Sequence, residues 1–334
     1  MPSRRSVLAA TVGGLALTAT PALASESRVK ALVEEHYKKV TGFNTVSLGA
    51  FRDRDQHAVN GEAIFQIGSI TKTFTALSLA TATCSGRARL DDLLADHLPR
   101  KFPVPKGITL KHLATHTSGL PRLPPGLIED PALDLRDPYA HITEPKLIEW
   151  LRQTTLNAEP GTKYEYSNYG AGLLGLALGR DYGAMVRDWI TRPLRLKDTG
   201  VSVTDRRRKV QGYDDKDAPT PDWRTPVIPG MGGLYGTVND LLRYDRAHLE
   251  HPSPALKLVQ QQHFTDGTVR VALGWHIITL PKSGDVIMHD GGTGGFSSFT
   301  AFSPSRRTGV AVIVNKFNST AEAAGAAIEL LEAL

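Results

Sequence analysis

The apolar positions of this chain change rhythm several times, and each change marks an element. From Ser27 to Lys38 they recur with helical spacing, whereas from Thr45 to Phe51 they alternate as in a half-buried strand. Ala63 to Ile67 reads as a second strand, and directly after it, from Ile70, the period turns helical again, with Phe74, Leu77 and Thr81 on one stripe until Gly86 stops it. Between about Arg87 and His263 helical patches are separated by loops rich in proline and glycine. Two of these loops are long, Leu120 to Pro138 and Asp214 to Pro229, and read either as rims or lids of a site or as variable surface loops. Beyond Thr268 the runs Val269 to Leu280, Val286 to His289, Phe296 to Phe302 and Gly309 to Asn315 predict an antiparallel meander, and an alanine-rich helix from about Thr320 to Leu334 ends the chain. Strands and a helix at both ends, with helices between, predict an α/β (α+β) fold: an antiparallel sheet flanked by terminal helices. Its α/β lobe spans about 25–68 plus 265–334, and a mainly helical lobe of about 69–264 is inserted in it.

Composition narrows the function classes. The 334 residues carry a formal net charge of +5, and two of the positive charges, Arg4 and Arg5, belong to an N-terminal leader. The rest are dispersed, without the basic face and interleaved aromatics that nucleic acid requires. The densest run, Arg206-Arg207-Arg208-Lys209, reads as a solvated loop. Arg4-Arg5, the apolar stretch Val7 to Leu17 and Ala22-Leu23-Ala24 before Ser25 predict a signal peptide over residues 1–24, and Ser3-Arg4-Arg5-Ser6-Val7-Leu8 resembles a twin-arginine export signal. No later run is long and apolar enough for a stable membrane span, so the mature chain is expected to be secreted or extracytoplasmic. Cys84 is the only cysteine, which excludes an intrachain disulfide and a thiolate metal cluster; it is expected to be a small buried apolar residue.

A serine hydroxyl is a weak nucleophile unless a base lies beside it. In Ser69-Ile70-Thr71-Lys72 the lysine falls almost one helical turn after the serine, on the same face and within hydrogen-bond reach. Lysine can serve as a base only if burial or a neighbouring cation removes its proton. Tyr166-Ser167-Asn168 offers a proton relay and an amide for a substrate carbonyl, or else a buried aromatic and a helix cap. His289-Asp290-Gly291-Gly292-Thr293-Gly294-Gly295, at the end of a predicted strand, has glycines that free backbone amides for an oxyanion, or else form a bulge or hairpin loop. His112 with His116 and His248 with His251 have metal-like spacing but lack the H-E-x-x-H glutamate, and are read as hydrogen-bonding residues; no metal or cofactor is called for. A G-x-S-x-G elbow is absent.

Taken in order, S-x-x-K, Y-x-N and H-x-G resemble the serine β-lactamase and penicillin-recognising D-alanyl-D-alanine peptidase superfamily, on its class C side. The stretches Ile108 to Leu113, Thr115 to Pro121, Pro193-Leu194 and Gly232 to Asp240 extend the resemblance through the chain after the leader. It implies Ser69 as the acylated nucleophile, Lys72 as its proton acceptor or electrostatic activator, and Tyr166 as proton shuttle to the leaving group. It further implies Asn168, His289 and Gly291 as substrate-binding residues, His289 either binding a substrate carboxylate or orienting Tyr166, with the amides of Ser69 and Gly292 as the oxyanion hole. Class C β-lactamases carry lysine where this chain has His289, and a histidine is a weaker permanent cation for a β-lactam carboxylate. The expected activity is therefore amide or ester cleavage of carboxypeptidase, D-amino-acid peptidase or esterase type on a small-molecule or peptide substrate. A class C-like β-lactamase, a transacylase and a non-catalytic penicillin-binding receptor are the alternatives. The oligomeric state stays open.

Overall fold

The computed structural model describes residues 27–334, so the expected leader and its twin arginines lie outside the described residues. Ser27 accepts from the Lys30 amide at 3.2 Å and caps α1 (Arg28–Lys39). The chain then forms β1 (Val46–Arg52) and β2 (Asp55–Val59). β1 is buried on both faces rather than one. Val46, Leu48 and Ala50 pack with Val29 and Val33 of α1 and with α10 (Thr320–Ala333), while a Cβ on Gly49 would meet Leu242 at 2.8 Å on the other side. β2 was not expected because its mostly polar, part-exposed residues form an edge strand.

Of the strand expected over 63–67, only β3 (Phe65–Gln66) forms. A short 3-10 turn, Gly68–Ile70, leads from it into α2 (Thr71–Cys84). This helix is buried nearly all round rather than along one stripe, and Phe74 stacks on Tyr244 at 4.2 Å. Cys84, at its last position, emerges into solvent, which corrects the buried reading. The helical layer continues through α3 (Leu94–His97), α4 (Leu110–Ala114), α5 (Glu144–Gln153), α6 (Asn168–Leu178) and α7 (Tyr182–Val186). The small hairpin β4 (Gly212–Tyr213) and β5 (Pro219–Thr220), the strand β6 (Tyr235–Gly236) paired with β3, α8 (Val238–Glu250) and α9 (Pro254–Leu258) complete the middle of the chain. The basic run is tied into ion pairs: Arg208 with Asp198 at 2.6 Å, Arg207 with Asp205 at 2.9 Å, and Lys209 with Asp222 at 2.9 Å.

The meander follows as β7 (Phe264–Thr265), β8 (Arg270–Val271), β9 (His276–Leu280), β10 (Gly284–Gly292), β11 (Ser297–Ser303) and β12 (Thr308–Val314). The antiparallel sheet has the order β2-β1-β12-β11-β10-β9-β8-β7, so both chain ends contribute to it. The run expected over Val269 to Leu280 is broken at Gly274, whose φ is +71° and whose absent Cβ would strike the Lys72 carbonyl oxygen at 2.8 Å. That contact presses the sheet edge against α2.

Candidate active site

Backbone packs on backbone where the sheet meets the start of α2, and this places Ser69. A Cβ on Gly68, whose φ is +52°, would lie 2.7 Å from the Gly292 nitrogen. One on Gly291 would lie 2.3 Å from the Ile67 oxygen and 3.1 Å from the Ser69 nitrogen. Glycine at both positions therefore brings the Ser69 and Gly292 amides side by side. Ser298 Oγ, from β11, donates to the same Ile67 carbonyl at 3.0 Å and holds the turn down. Ser69 stays half-buried at the floor of a cleft of about 690 Å³.

Lys72 is one turn into the buried helix and 3 % exposed. Its Nζ lies 2.8 Å from Ser69 Oγ and donates to the Met231 carbonyl at 2.5 Å. Burial drives its pKa well below the usual lysine range; the Arg122 charge adds to this and Asp290 opposes it. A neutral amine keeps the bond to Met231 and still points a lone pair at Ser69.

Tyr166 reaches the same serine from the segment before α6. The Lys72 nitrogen stands 4.9 Å from its ring centroid and the Arg122 guanidinium 5.1 Å, while the His116 ring lies 4.4 Å away. His116 Nδ1 accepts the Ser167 amide at 3.1 Å, which fixes that ring. Burial raises the Tyr166 phenol far above its usual value, against an opposing hydrogen-bonding interaction with Ser69. Ser167 Oγ accepts the Gly170 amide at 2.9 Å, so it caps α6 and leaves the Asn168 side chain free of the cap. Asn168 Nδ2 donates to Tyr139 at 3.3 Å, and its Oδ1 is buried without a partner among the described residues.

Period-2 alternation along β10 turns Met288, Asp290 and Gly292 onto the cleft wall. His289 faces the other way and is fully buried. Its Nδ1 donates to the Asp290 carbonyl at 2.6 Å, and burial followed by the charges of His276 and Lys72 holds the ring neutral. It presents no cation to a substrate carboxylate, contrary to one of the two roles the resemblance implied. Its ring centroid is 6.3 Å from that of Tyr166, so a positioning role is compatible with the geometry. Gly291 likewise sits beneath the wall as a packing position, and Gly292 is the residue of the pair that the cleft exposes.

The Beta-lactamase family model matches residues 30–334. The chain belongs to the β-lactamase family. It is 30% identical over 283 residues to the D-alanyl-D-alanine-carboxypeptidase/endopeptidase AmpH of Escherichia coli, covering 76% of this chain and 71% of the relative. A β-lactamase of Pseudomonas fluorescens is 25% identical over 333 residues, covering 86% of this chain and 88% of that one. A class C β-lactamase structure superposes with a TM-score of 0.80 at 21% identity over 94% of this chain and 98% of that one. A β-lactamase/D-alanine carboxypeptidase from Pseudomonas syringae gives 0.77 at 21% identity over 91% and 99%. At those identities the structures establish the fold. The protein is a serine hydrolase of this family.

Ser69, Lys72, Tyr166, Asn168 and Gly292 thus converge on one cleft. Sequence reasoning passed over Arg122, Tyr164, His276 and the side chain of Asp290. Tyr164 and His276 are joined at 2.8 Å between Oη and Nε2 across the cleft, and burial pushes the Tyr164 phenol up to about 12. Arg122 lies in the first long loop and Trp223 in the second, which makes both loops rims of the site. His112 and His116 both accept backbone hydrogen bonds, as expected: His112 Nδ1 accepts from the Thr109 amide at 3.3 Å as half of a capping box.

Proposed function

We propose that this family member cleaves an amide or ester bond through an acyl-enzyme on Ser69, acting on a D-alanyl peptide, D-amino-acid derivative or ester. The observation that carries the reading is the 2.8 Å approach of a buried lysine amine to the serine hydroxyl, beside a tyrosine whose acidity is shifted in the opposite direction. Groups driven apart in this way take opposite parts in proton transfer. Lys72 removes the Ser69 proton as Oγ attacks the carbonyl carbon. The Ser69 and Gly292 amides receive the negative charge that forms on the carbonyl oxygen, a contribution on the order of 10²–10³ in rate per donor. Tyr166 then gives its proton to the departing amine or alkoxide and is refilled from the protonated Lys72. Water enters by the reverse relay and frees Ser69. Asn168, with its unpartnered Oδ1, holds an N–H on the acyl part.

The 30% identity to a carboxypeptidase supports the peptide reading. The neutral, enclosed His289 disfavours rapid β-lactam turnover. Export rests on the leader expected over residues 1–24, and a mature chain starting at Ser25 would mark its cleavage. Intact-protein mass spectrometry after mixing with benzylpenicillin, a D-alanyl-D-alanine peptide and short-chain esters should give an adduct mapping to Ser69. Ser69→Ala should form none and lose ester turnover while keeping its melting profile; turnover that survives the substitution rejects the mechanism.

A further inference from the structure

Two side-chain charges stand in the cleft without ionic partners among the described residues. Arg122 lies on the wall that carries Asn168, and Asp290 on the β10 wall, whereas the third charged lining residue, Arg270, is neutralised by Asp285 at 2.9 Å. The K-T-G pattern has an uncharged threonine at the position Asp290 occupies. Here a half-buried carboxylate points into the cleft instead. On a strand, two residues span about 7 Å along the backbone, so the Asp290 Cα is about that far from the Cα of Gly292, the outward neighbour proposed as an oxyanion donor. The field of the carboxylate also reaches Tyr166, the proposed proton donor beside the departing group, together with Tyr164 and His276. Ile277, Ile278 and Met288 give that wall an apolar patch.

We infer that Asp290 sets leaving-group specificity: the β10 wall accepts esters or amides whose departing alcohol or amine carries a positive charge, and rejects those carrying a free carboxylate. A carboxylate placed there would face Asp290 with no unpaired cation on the same wall to offset it, since Arg270 is held by Asp285 and His289 is enclosed and neutral. The inference rests on the Ser69 acyl-enzyme reading, and within that reading it selects ester or amine-releasing chemistry over carboxypeptidase chemistry.

Three acetyl thioesters differing only in the leaving group test this: thiocholine, the isosteric neutral 3,3-dimethylbutanethiol, and 3-mercaptopropionate. The released thiol is followed in each case. The wild-type protein should prefer the thiocholine ester over the mercaptopropionate ester by tenfold or more in kcat/KM, and Asp290→Asn should cut that ratio by about tenfold. Asp290→Thr should do the same, which guards against a folding defect in one variant; damage to the site alone lowers all three esters together and leaves the ratio intact. Equal use of the charged esters by the wild-type protein, or an unchanged ratio in both folded variants, overturns the inference. Calorimetric titration of the intact esters into Ser69→Ala reads the same preference without turnover. Failure of the acyl-enzyme reading shows as no Ser69-dependent turnover, and failure of the present inference as binding or turnover blind to charge.

Discussion

Lys72 and Tyr166 start from ordinary acidities of 10.5 and 10.0, and one enclosure drives them apart. Burial penalises whichever form is charged, so it strips the proton from the amine and locks it on the phenol. Arg122 pushes the same way on Lys72, because a cation beside it disfavours its ammonium form, whereas on Tyr166 it opposes the effect of burial. The sign of a pH effect follows. If neutral Lys72 is the working form, kcat/KM rises with pH through the lysine pKa, and removing the Arg122 charge raises that pKa. Arg122→Gln should therefore move the acid limb of the kcat/KM profile to higher pH, read by stopped-time assays across pH 4–9; an unmoved or acid-shifted limb removes Arg122 from the activation of Lys72. The S-x-x-K spacing made the pair legible in the sequence, since a helix fixes three-residue neighbours. Arg122 was not legible, because an irregular loop lets no period say which way a side chain turns. Asp290 stood in plain view within a glycine-rich motif that drew attention to backbone rather than to charge.

At the scale of elements, patterning was informative where one face met water and weak where both faces were covered. α1, the last two strands of the meander and α10 came close to their expected limits, whereas β1 and α2 were read as half-buried because periodicity cannot see a second layer. The polar edge strand β2 left no apolar alternation to find. The seam between α8 and the sheet hides a further polar feature. Asp245 on α8 is fully buried, with Oδ2 2.5 Å from Thr300 Oγ1 of β11, and that hydroxyl also donates to the Val310 carbonyl of β12 at 3.3 Å. One hydroxyl hydrogen cannot serve both oxygens, but a protonated Asp245 can donate to Thr300 and leave Thr300 to donate to Val310. Burial raises its pKa from 3.8 to about 8 in keeping with this. The folded protein then holds a proton that the unfolded chain releases above pH 4, so Asp245 lowers stability progressively as pH rises from about 4 to 8. Asp245→Asn keeps a donor toward Thr300 and has no charge to bury. Denaturant melts should find it more stable than the parent by about 5 kcal/mol at pH 8 and nearly equal at pH 4; a variant less stable at both would show the carboxyl to be a needed acceptor.

For the whole molecule, the cleft is assembled from segments that are far apart in sequence, and its rims have to be held to the catalytic floor. The two long loops are tied to each other. Asp137, 4 % exposed, accepts the Arg224 amide at 2.8 Å and Arg224 Nε at 2.6 Å, while the Tyr139 and Trp223 rings meet at 5.4 Å. The second loop is tied in turn to the floor, where Gln66 and the Trp223 backbone exchange hydrogen bonds of 2.8 and 3.0 Å. Gln66 is three residues before Ser69, so the tie runs from the outer rim to the segment that carries the nucleophile. The proline content of these loops advertised irregular chain but not this cross-bracing, which depends on one buried aspartate meeting a backbone amide in another loop. The Arg224 side chain is 75 % exposed, so the charge pair itself contributes little; the bond from the part-buried Arg224 amide to Asp137 carries most of the effect. Asp137→Ala leaves that amide without its acceptor and should cost about 1–2 kcal/mol in a denaturant melt. Because Tyr139 and Trp223 line the cleft but do not touch the proton relay, the same variant should raise KM several-fold for a large substrate while lowering kcat less, and should leave Ser69 acylation by a small ester nearly intact. A fall in kcat alone, with KM unchanged, would mean that the loops act on the floor through Gln66 and not as a rim that grips substrate.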